Sequence, residues 1–288
     1  MKNKASVCIS IDCELAWGVA DNLSNKFIEK TIELDEIICN ELIQLFNELH
    51  ISATWAVVAA MLDKNNQMIN VIDKNAWYNP TIIEKISSSK VYQELASHSY
   101  SHPNFANFNE NYIEEDFQKA DYFFSNNKIK INSFVFPRNQ IRYLNLLNKY
   151  GIKIFRSLDN SFYKKIYKHN KFLGKIANVI DKILPISANT IRPKISNYNL
   201  TEIESSLLFI SRYGYKKIIS EYSMYKKAKL CIDLAIERNE CFHLWFHPSN
   251  FYYNTNNQLN LFKKILKYVE YKRNKELLDI NTFNNFII

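Results

Sequence analysis

Two carboxylates and two histidines stand at spacings that suit metal-dependent hydrolysis. Asp12 and Glu14 are two residues apart, so in an extended backbone their side chains point to the same face. His98 and His102 are four apart, and on one helical turn both imidazoles would face a single ion. Two histidines and one carboxylate are a common ligand set of zinc hydrolases, which keep one coordination position for water. The residues predict a metal site if Asp12 or Glu14 lies close to the histidine pair.

A third cluster, CFHLWFHP, begins at Cys241 and ends at Pro248. On a strand His243, Trp245 and His247 would share one face, and Pro248 would leave His247 at the strand tip. A histidine there can donate a proton to a leaving group near neutral pH. Taken singly, each cluster also has a structural interpretation, such as solvated acids at a strand end or an internal strand with an aromatic stripe. His243 is assigned to the structure.

The apolar pattern predicts the elements that would position these clusters. Strands are predicted at Ser6–Ile11, Ala53–Ala60, Tyr92–Ala96, Ser133–Phe136, Ile152–Phe155, Ser187–Ile191 and Cys241–Phe246. Helices are predicted at Thr31–Leu49, Asn111–Phe124, Ile141–Tyr150, Phe162–Leu184, Tyr222–Arg238 and Leu259–Tyr271. Such alternation without a linker predicts one domain over residues 1–288, a parallel barrel whose chemistry lies at the carboxyl ends of its strands.

Composition excludes several classes of protein. The 288 residues are 47% hydrophobic and 23% charged, which is typical of a globular chain with a core. The four glycines are far apart, so neither a P-loop nor a dinucleotide-binding turn can be built. The five cysteines form no CxxC pair, which argues against a disulfide framework or a cysteine-rich zinc module.

The net charge of +8 is concentrated in one segment, where eight basic and two acidic residues lie between Lys153 and Lys182. A basic helical insertion around residues 160–185 is predicted. It could meet a lipid headgroup or a phosphorylated substrate, or be a solvated helix face. Nucleic acid is excluded as a partner because no recognition motif accompanies the charge. A start too short for a signal sequence, and the lack of a membrane-length apolar run, predict a cytoplasmic protein.

Together the motifs SIDCE, HSYSH and LWFHP resemble those of the polysaccharide deacetylases, the NodB-homology or carbohydrate esterase 4 group, in the variant branch with D-x-E. The resemblance implies a distorted (β/α) barrel of about seven parallel strands. It also implies metal-dependent removal of an N-acetyl or O-acetyl group from a sugar, with zinc as the metal and cobalt, nickel or manganese as alternatives. It makes His98, His102 and Glu14 the metal ligands, Asp12 the base and His247 the general acid; the roles of Asp12 and Glu14 can be exchanged.

Two departures from the family pattern bear on the site. Arg138 follows Pro137, whereas the usual pattern places the arginine before the proline; by this resemblance Arg138 would hold the catalytic carboxylate. Trp245 stands where the family has the leucine that contacts the acetyl methyl group, which implies a narrower acyl pocket or another substrate. Trp17 and Tyr100 flank the metal residues and could stack on a sugar or pack in the core.

Without an export signal, the expected substrate is an acetylated saccharide of the cytosol, linked to a lipid or a nucleotide, on the way to a surface polysaccharide. Peripheral membrane contact through Lys153–Lys182 would suit a lipid-linked substrate. Two alternatives stay open: an amidohydrolase of the same fold acting on a small non-sugar amide, and a catalytically silent barrel that binds glycan.

Overall fold

A computed structural model describes residues 4–21, 25–71, 73–158, 166, 169–184 and 187–288. Its strands are β1 (Ser6–Cys13), β2 (Thr54–Val57), β3 (Glu94–Ser97), β4 (Ser133–Val135), β5 (Ile154–Ser157), β6 (Lys194–Ile195), β7 (Thr201–Glu204), β8 (Leu207–Leu208), β9 (Cys241–Phe246) and β10 (Asp279–Asn281). Its α-helices are α1 (Asn25–Glu48), α2 (Pro80–Ser87), α3 (Glu110–Asn126), α4 (Leu144–Lys149), α5 (Lys171–Ile183), α6 (Glu221–Arg238) and α7 (Thr255–Asn274).

The strands form one sheet in the order β6-β7-β5-β4-β3-β2-β1-β9-β8, and β10 pairs with the first half of β1. Every pair is parallel except β6 with β7. Parallel neighbours require a crossover, and helices such as α1, α2 and α3 return the chain between successive strands. The sheet curls into a half-barrel flanked by helices, which confirms the predicted fold class. The strands β1–β5, β7 and β9 form its parallel body.

The first strand, β1, is an internal strand of the sheet, between β2 and β9, and is buried along its whole length. Small side chains from five strands fill the interior next to it, namely Cys8, Ala56, Ala96, Val135 and Cys241. At the amino end of the strands the ring of Phe283 closes this interior, and its backbone N–H donates to the Thr54 hydroxyl at 3.0 Å. Buried polar residues occur at both ends of the strands, with Thr54, Glu94 and Ser133 at the amino ends and Asp12 and Ser97 toward the carboxyl ends.

The observed elements match most of the predicted ones, with boundaries shifted by a few residues. The predicted strand Ser187–Ile191 is wrong, because Ile191 forms only an isolated antiparallel bridge to Cys241. Helix α2 and the short strands β6, β7, β8 and β10 were not predicted. The predicted helix Phe162–Leu184 is represented by α5, while residues 159–165 and 167–168, which carry part of the basic segment, lie outside the described residues. In the part that is described, no helix is both long enough and apolar enough to cross a bilayer.

Candidate active site

The two carboxylates lie at the carboxyl end of β1. Asp12 belongs to the strand, and Glu14 follows it, immediately before the 3-10 turn Leu15–Val19. The Glu14 side chain lies against Gly18 and fits there because glycine has no Cβ atom. A Cβ atom at residue 18 would lie 2.0 Å from Glu14 Oε1. Any larger residue at this position would therefore displace the carboxylate.

His98 and His102 follow β3 in a turn, so the predicted helical placement of this pair is wrong. Ser99 and His102 adopt left-handed backbone conformations, with φ of 67° and 55°. The turn is held by the Ser99 hydroxyl, which accepts from the His102 backbone N–H at 3.0 Å, and by Asp116 of α3, which accepts from the backbone N–H of Tyr100 at 2.8 Å. The imidazoles still converge, with ring centroids 4.8 Å apart.

Glu14, His98 and His102 bring three ligand atoms within 4.8 Å of one another. Glu14 Oε2 lies 3.3 Å from His98 Nε2 and 3.1 Å from His102 Nε2. His98 Nδ1 lies 2.7 Å from the Val135 carbonyl oxygen, which can only accept, so Nδ1 carries a proton and Nε2 is the ring nitrogen that faces Glu14. Two Nε2 atoms and a carboxylate oxygen at this separation form a donor set that suits zinc, with the Val135 carbonyl fixing the orientation of the His98 ring. These three residues therefore fit the expected metal.

Charge and burial favour the ligand forms of these groups. Burial would raise the pKa of Glu14, but the neighbouring His247 and His102 hold that pKa well below its ordinary value, so the carboxylate is ionised. Burial lowers the pKa of His102, although the negative charge of Glu14 acts to raise it. The lowered pKa keeps the imidazole neutral near pH 7. A neutral imidazole and an ionised carboxylate are the forms that coordinate a metal.

Arg156 of β5 holds Asp12 in a buried bidentate pair. Its Nη1 donates to Asp12 Oδ1 and its Nη2 to Oδ2, each at 2.6 Å, and the two side chains are 1% and 3% exposed. Burial would raise the pKa of Asp12, but Arg156, followed by His247, lowers it. The expectation that Arg138 holds this carboxylate is corrected: Arg138 pairs with Asp21 at the surface. An arginine in the apolar run IFRS was the signal for Arg156 in the sequence.

Behind this pair lies a hydrogen-bond chain through Ser10 and His243. The register of β1 and β9 places Ser10 opposite Trp245 and Cys8 opposite His243. His243 Nδ1 lies 2.8 Å from the Glu204 carbonyl and must donate to it, so Nε2 accepts from the Ser10 hydroxyl, also at 2.8 Å. Ser10 Oγ in turn accepts from Arg156 Nη1 at 3.2 Å. Burial lowers the pKa of His243 to about 3, so it stays neutral.

His247 completes the cluster from the tip of β9, and its side chain is partly exposed. His247 Nε2 lies 3.6 Å from Asp12 Oδ2 and 3.8 Å from Glu14 Oε1. Trp245, two residues earlier on the same face, packs its ring on the Arg156 guanidinium at 4.3 Å and lies 5.5 Å from the His247 ring. The proton donor predicted at this strand tip is thus within reach of both carboxylates.

The two aromatic residues predicted to stack on a sugar lie elsewhere. Trp17 is 2% exposed, and its indole N–H donates to the Trp77 carbonyl at 3.0 Å, so it belongs to the core. The Tyr100 hydroxyl donates to Asp63 at 2.7 Å, and its ring stacks on Phe123 of α3. Tyr100 therefore lines a groove beside α3 rather than the metal cluster. Of the predicted substrate contacts, Trp245 alone is at the cluster in this structure.

Comparison with known proteins agrees with this architecture. The polysaccharide deacetylase family model matches residues 33–155, a range that includes the histidine pair but not Asp12, Glu14 or His247. The search of curated proteins found no match. A structure named as a polysaccharide deacetylase from Mycobacterium smegmatis has a TM-score of 0.70 at 10% identity, covering 100% of this chain and 90% of that chain.

Two further structures have the same fold. A polysaccharide deacetylase structure from Pseudomonas aeruginosa PAO1 has a TM-score of 0.67 at 10% identity, covering 98% of this chain and 89% of that one. The PuuE allantoinase also has a TM-score of 0.67 at 10% identity, with 99% and 90% covered. At this identity the similarity concerns the fold. With that fold and the match over residues 33–155 in agreement, the chain is similar to the polysaccharide deacetylases in its fold and, over that range, in its sequence.

Proposed function

We propose that the protein is a metal-dependent deacetylase that hydrolyses the N-acetyl, or O-acetyl, group of a sugar in a polysaccharide or glycan precursor. The observation that carries this proposal is the convergence of the Glu14, His98 and His102 ligand atoms beside Asp12 and His247. A binding protein needs neither a metal ligand set nor a proton donor close to two carboxylates. The convergence therefore favours an enzyme over a silent barrel.

Glu14, His98 and His102 would hold the divalent metal, with zinc as the first choice and cobalt, nickel and manganese as alternatives. When bound at such a site, the ion polarises an acyl carbonyl and lowers the pKa of a coordinated water toward ~7. The chain supplies the remaining groups. Asp12, kept ionised and oriented by Arg156, accepts the proton of the attacking water.

His247 donates a proton to the departing amine, without which an amide nitrogen is a poor leaving group. Its position between solvent and both carboxylates lets it exchange protons with water between turnovers. Trp245 forms a wall on the same strand face, and its bulk would limit the size of the acyl group. These roles extend the family resemblance to residues whose contacts are described above.

The substrate we propose is an acetylated saccharide of the cytoplasm, linked to a lipid or a nucleotide and used in surface polysaccharide synthesis. A small non-sugar amide is the second candidate, because an allantoinase shares the fold at a TM-score of 0.67. Acetate release from N-acetylated oligosaccharides, compared with ring opening of small cyclic amides and with ammonia or amine release from small linear ones, separates the two.

The test combines metal content with turnover in four proteins: wild type, His98→Ala, His247→Ala and the control His169→Ala, whose side chain is exposed. We expect about one divalent metal per chain in the wild type, loss of metal and acetate release together in His98→Ala, and loss of turnover alone in His247→Ala. His169→Ala should behave as the wild type. A wild type that takes up no metal after zinc or cobalt addition would overturn the proposal.

A further inference from the structure

Helix α5 turns a row of large apolar side chains toward solvent. Phe172 is 70% exposed, and Ile176, Ile180 and Leu184 follow it at intervals of four residues, all exposed. This spacing places Phe172, Ile176 and Ile180 along one face of the helix, with Leu173 beside them and Leu184 directly after the last helical residue. We name these five residues the α5 stripe. A soluble surface rarely leaves so many contiguous large apolar groups without a partner.

The charges around the α5 stripe are basic. Lys171 and Lys175 are exposed on the same helix. The one acid of α5, Asp181, is buried and pairs with Lys227 of α6 at 2.6 Å, so its charge is neutralised inside the protein. The solvent side of α5 therefore combines apolar groups and cations with no exposed carboxylate among the described residues.

The segment leading into α6 has the same character. Tyr215 is 72% exposed, and Ile218 and Tyr222 are exposed as well. Its one acid, Glu221, pairs with Arg212 at 2.8 Å. The start of α6 meets the end of α5, because the Ser223 hydroxyl donates to the Ile183 carbonyl at 2.7 Å. Helix α5 and the Tyr215–Tyr222 segment thus both expose apolar and aromatic side chains, and the carboxylate of each forms an ion pair with a basic residue.

We propose that the α5 stripe and the Tyr215–Tyr222 segment form a docking surface for an anionic lipid membrane. Apolar and aromatic side chains would enter the interface while Lys171 and Lys175 meet anionic headgroups, the arrangement of interfacial amphipathic helices. A second copy of the chain fits less well, since a two-fold interface brings the same patch together and would set lysines against lysines. This surface is independent of the proposed reaction and makes no use of its residues.

The test is co-sedimentation of the full chain with two kinds of vesicle, one of phosphatidylcholine alone and one containing one-third phosphatidylglycerol. The wild type should partition onto the anionic vesicles. The double variant Phe172→Asp/Ile180→Asp should lower that partition on the order of a hundredfold or more, because both substituted side chains lose apolar contact. Lys171→Gln/Lys175→Gln should weaken it by about fivefold per lysine on anionic vesicles only.

The control is Tyr122→Asp, which places one aspartate at an exposed aromatic position of α3 and should leave the partition unchanged. Melting temperatures should be similar for all these variants, since each substituted residue is exposed. The proposal is overturned if the wild type ignores both vesicles, or if the Phe172→Asp/Ile180→Asp variant partitions as well as the wild type. It is also overturned if sedimentation equilibrium shows a wild-type dimer that the double variant dissociates, since a second copy would then be the occupant.

Discussion

Replacing Arg156 by methionine removes the guanidinium that donates to both oxygens of Asp12. The pair is buried on both sides, so the variant leaves an ionised carboxylate without its partner in the interior of the barrel. Breaking a buried pair in this way typically costs about 3–5 kcal/mol of unfolding free energy. Trp245 also loses the cation against which its ring packs, so the cost should lie toward the upper end of that range.

For a chain of this size a loss of 1 kcal/mol lowers the melting temperature by roughly 1.7 °C, so Arg156→Met should melt about 5–8 °C below the wild type at pH 7. The matched control is Arg138→Met, which breaks an exposed pair with Asp21 and should cost no more than about 1 kcal/mol. Because the folded-state pKa of Asp12 is lowered, its contribution is present above its ordinary pKa and disappears as the pH falls through the folded value. The difference between wild type and Arg156→Met should therefore shrink as the pH falls from the raised pKa of Asp12 in the variant to its lowered pKa in the wild type.

Turnover supplies a second measurement. Without Arg156 the pKa of Asp12 rises, so the acidic limb of the rate profile should move to higher pH in Arg156→Met. Arg138→Met should keep the wild-type profile. A melting temperature of Arg156→Met equal to that of Arg138→Met, with an unshifted acidic limb, would refute the assignment of Arg156 as the residue that holds the catalytic carboxylate.

Three further predictions follow from other contacts. Gly18→Ala should displace the Glu14 carboxylate and weaken metal binding by about 10–100-fold with little change in melting temperature, as measured by competition with a chelating dye. His243 has a folded pKa of about 3, below its ordinary value, so wild-type stability should fall as the pH drops from about 6.5 to 3. The slope of stability against pH in this range approaches about 1.4 kcal/mol per pH unit, and His243→Gln should flatten it. Asp35 is buried against the Tyr252 hydroxyl at 2.6 Å, and its pKa is raised to about 7. Asp35 therefore binds its proton more tightly in the folded state, so wild-type stability should fall as the pH rises from about 4 to 7. Asp35→Asn should remove that loss. Urea unfolding at several pH values measures both effects, and a variant with the wild-type slope would contradict the corresponding assignment.

Sequence reasoning predicted the residues whose spacing is local. Asp12 and Glu14 stand at the end of one strand and His98 and His102 in one turn, so a short motif was enough to select them. The backbone conformation that brings the two imidazoles together was not predicted, because a spacing of four residues alone suggested a helix. In the structure Ser99 and His102 adopt left-handed backbone conformations instead. Spacing selects which side chains are near in the chain, while backbone conformation decides how they face each other.

Partners that come from distant strands could not be read from the sequence. Arg156 and Arg138 were both available, and only the curvature of the sheet brings β5 across the interior to Asp12. Trp17 was misplaced for a related reason, because a residue flanking a motif can point to the core as easily as to the cleft. The strands β6, β8 and β10, with two or three residues each, are too short to produce a periodic signal.

The pairing of β1 with β9 also has a consequence for folding kinetics. The hydrogen-bonded side chains of Ser10 and His243 are 233 positions apart, so the pairing of β1 with β9 closes one of the longest loops that the chain can make. Pairings at such separation are entropically costly and typically slow. The three proposed metal ligands all lie within the first 102 residues of the chain, whereas His247 arrives only with β9. An intermediate in which β1, β2 and β3 have paired with one another but β9 has not joined them would already bring Glu14 toward the histidine turn. It would lack the proposed proton donor, so such a species would bind metal before it could turn over substrate.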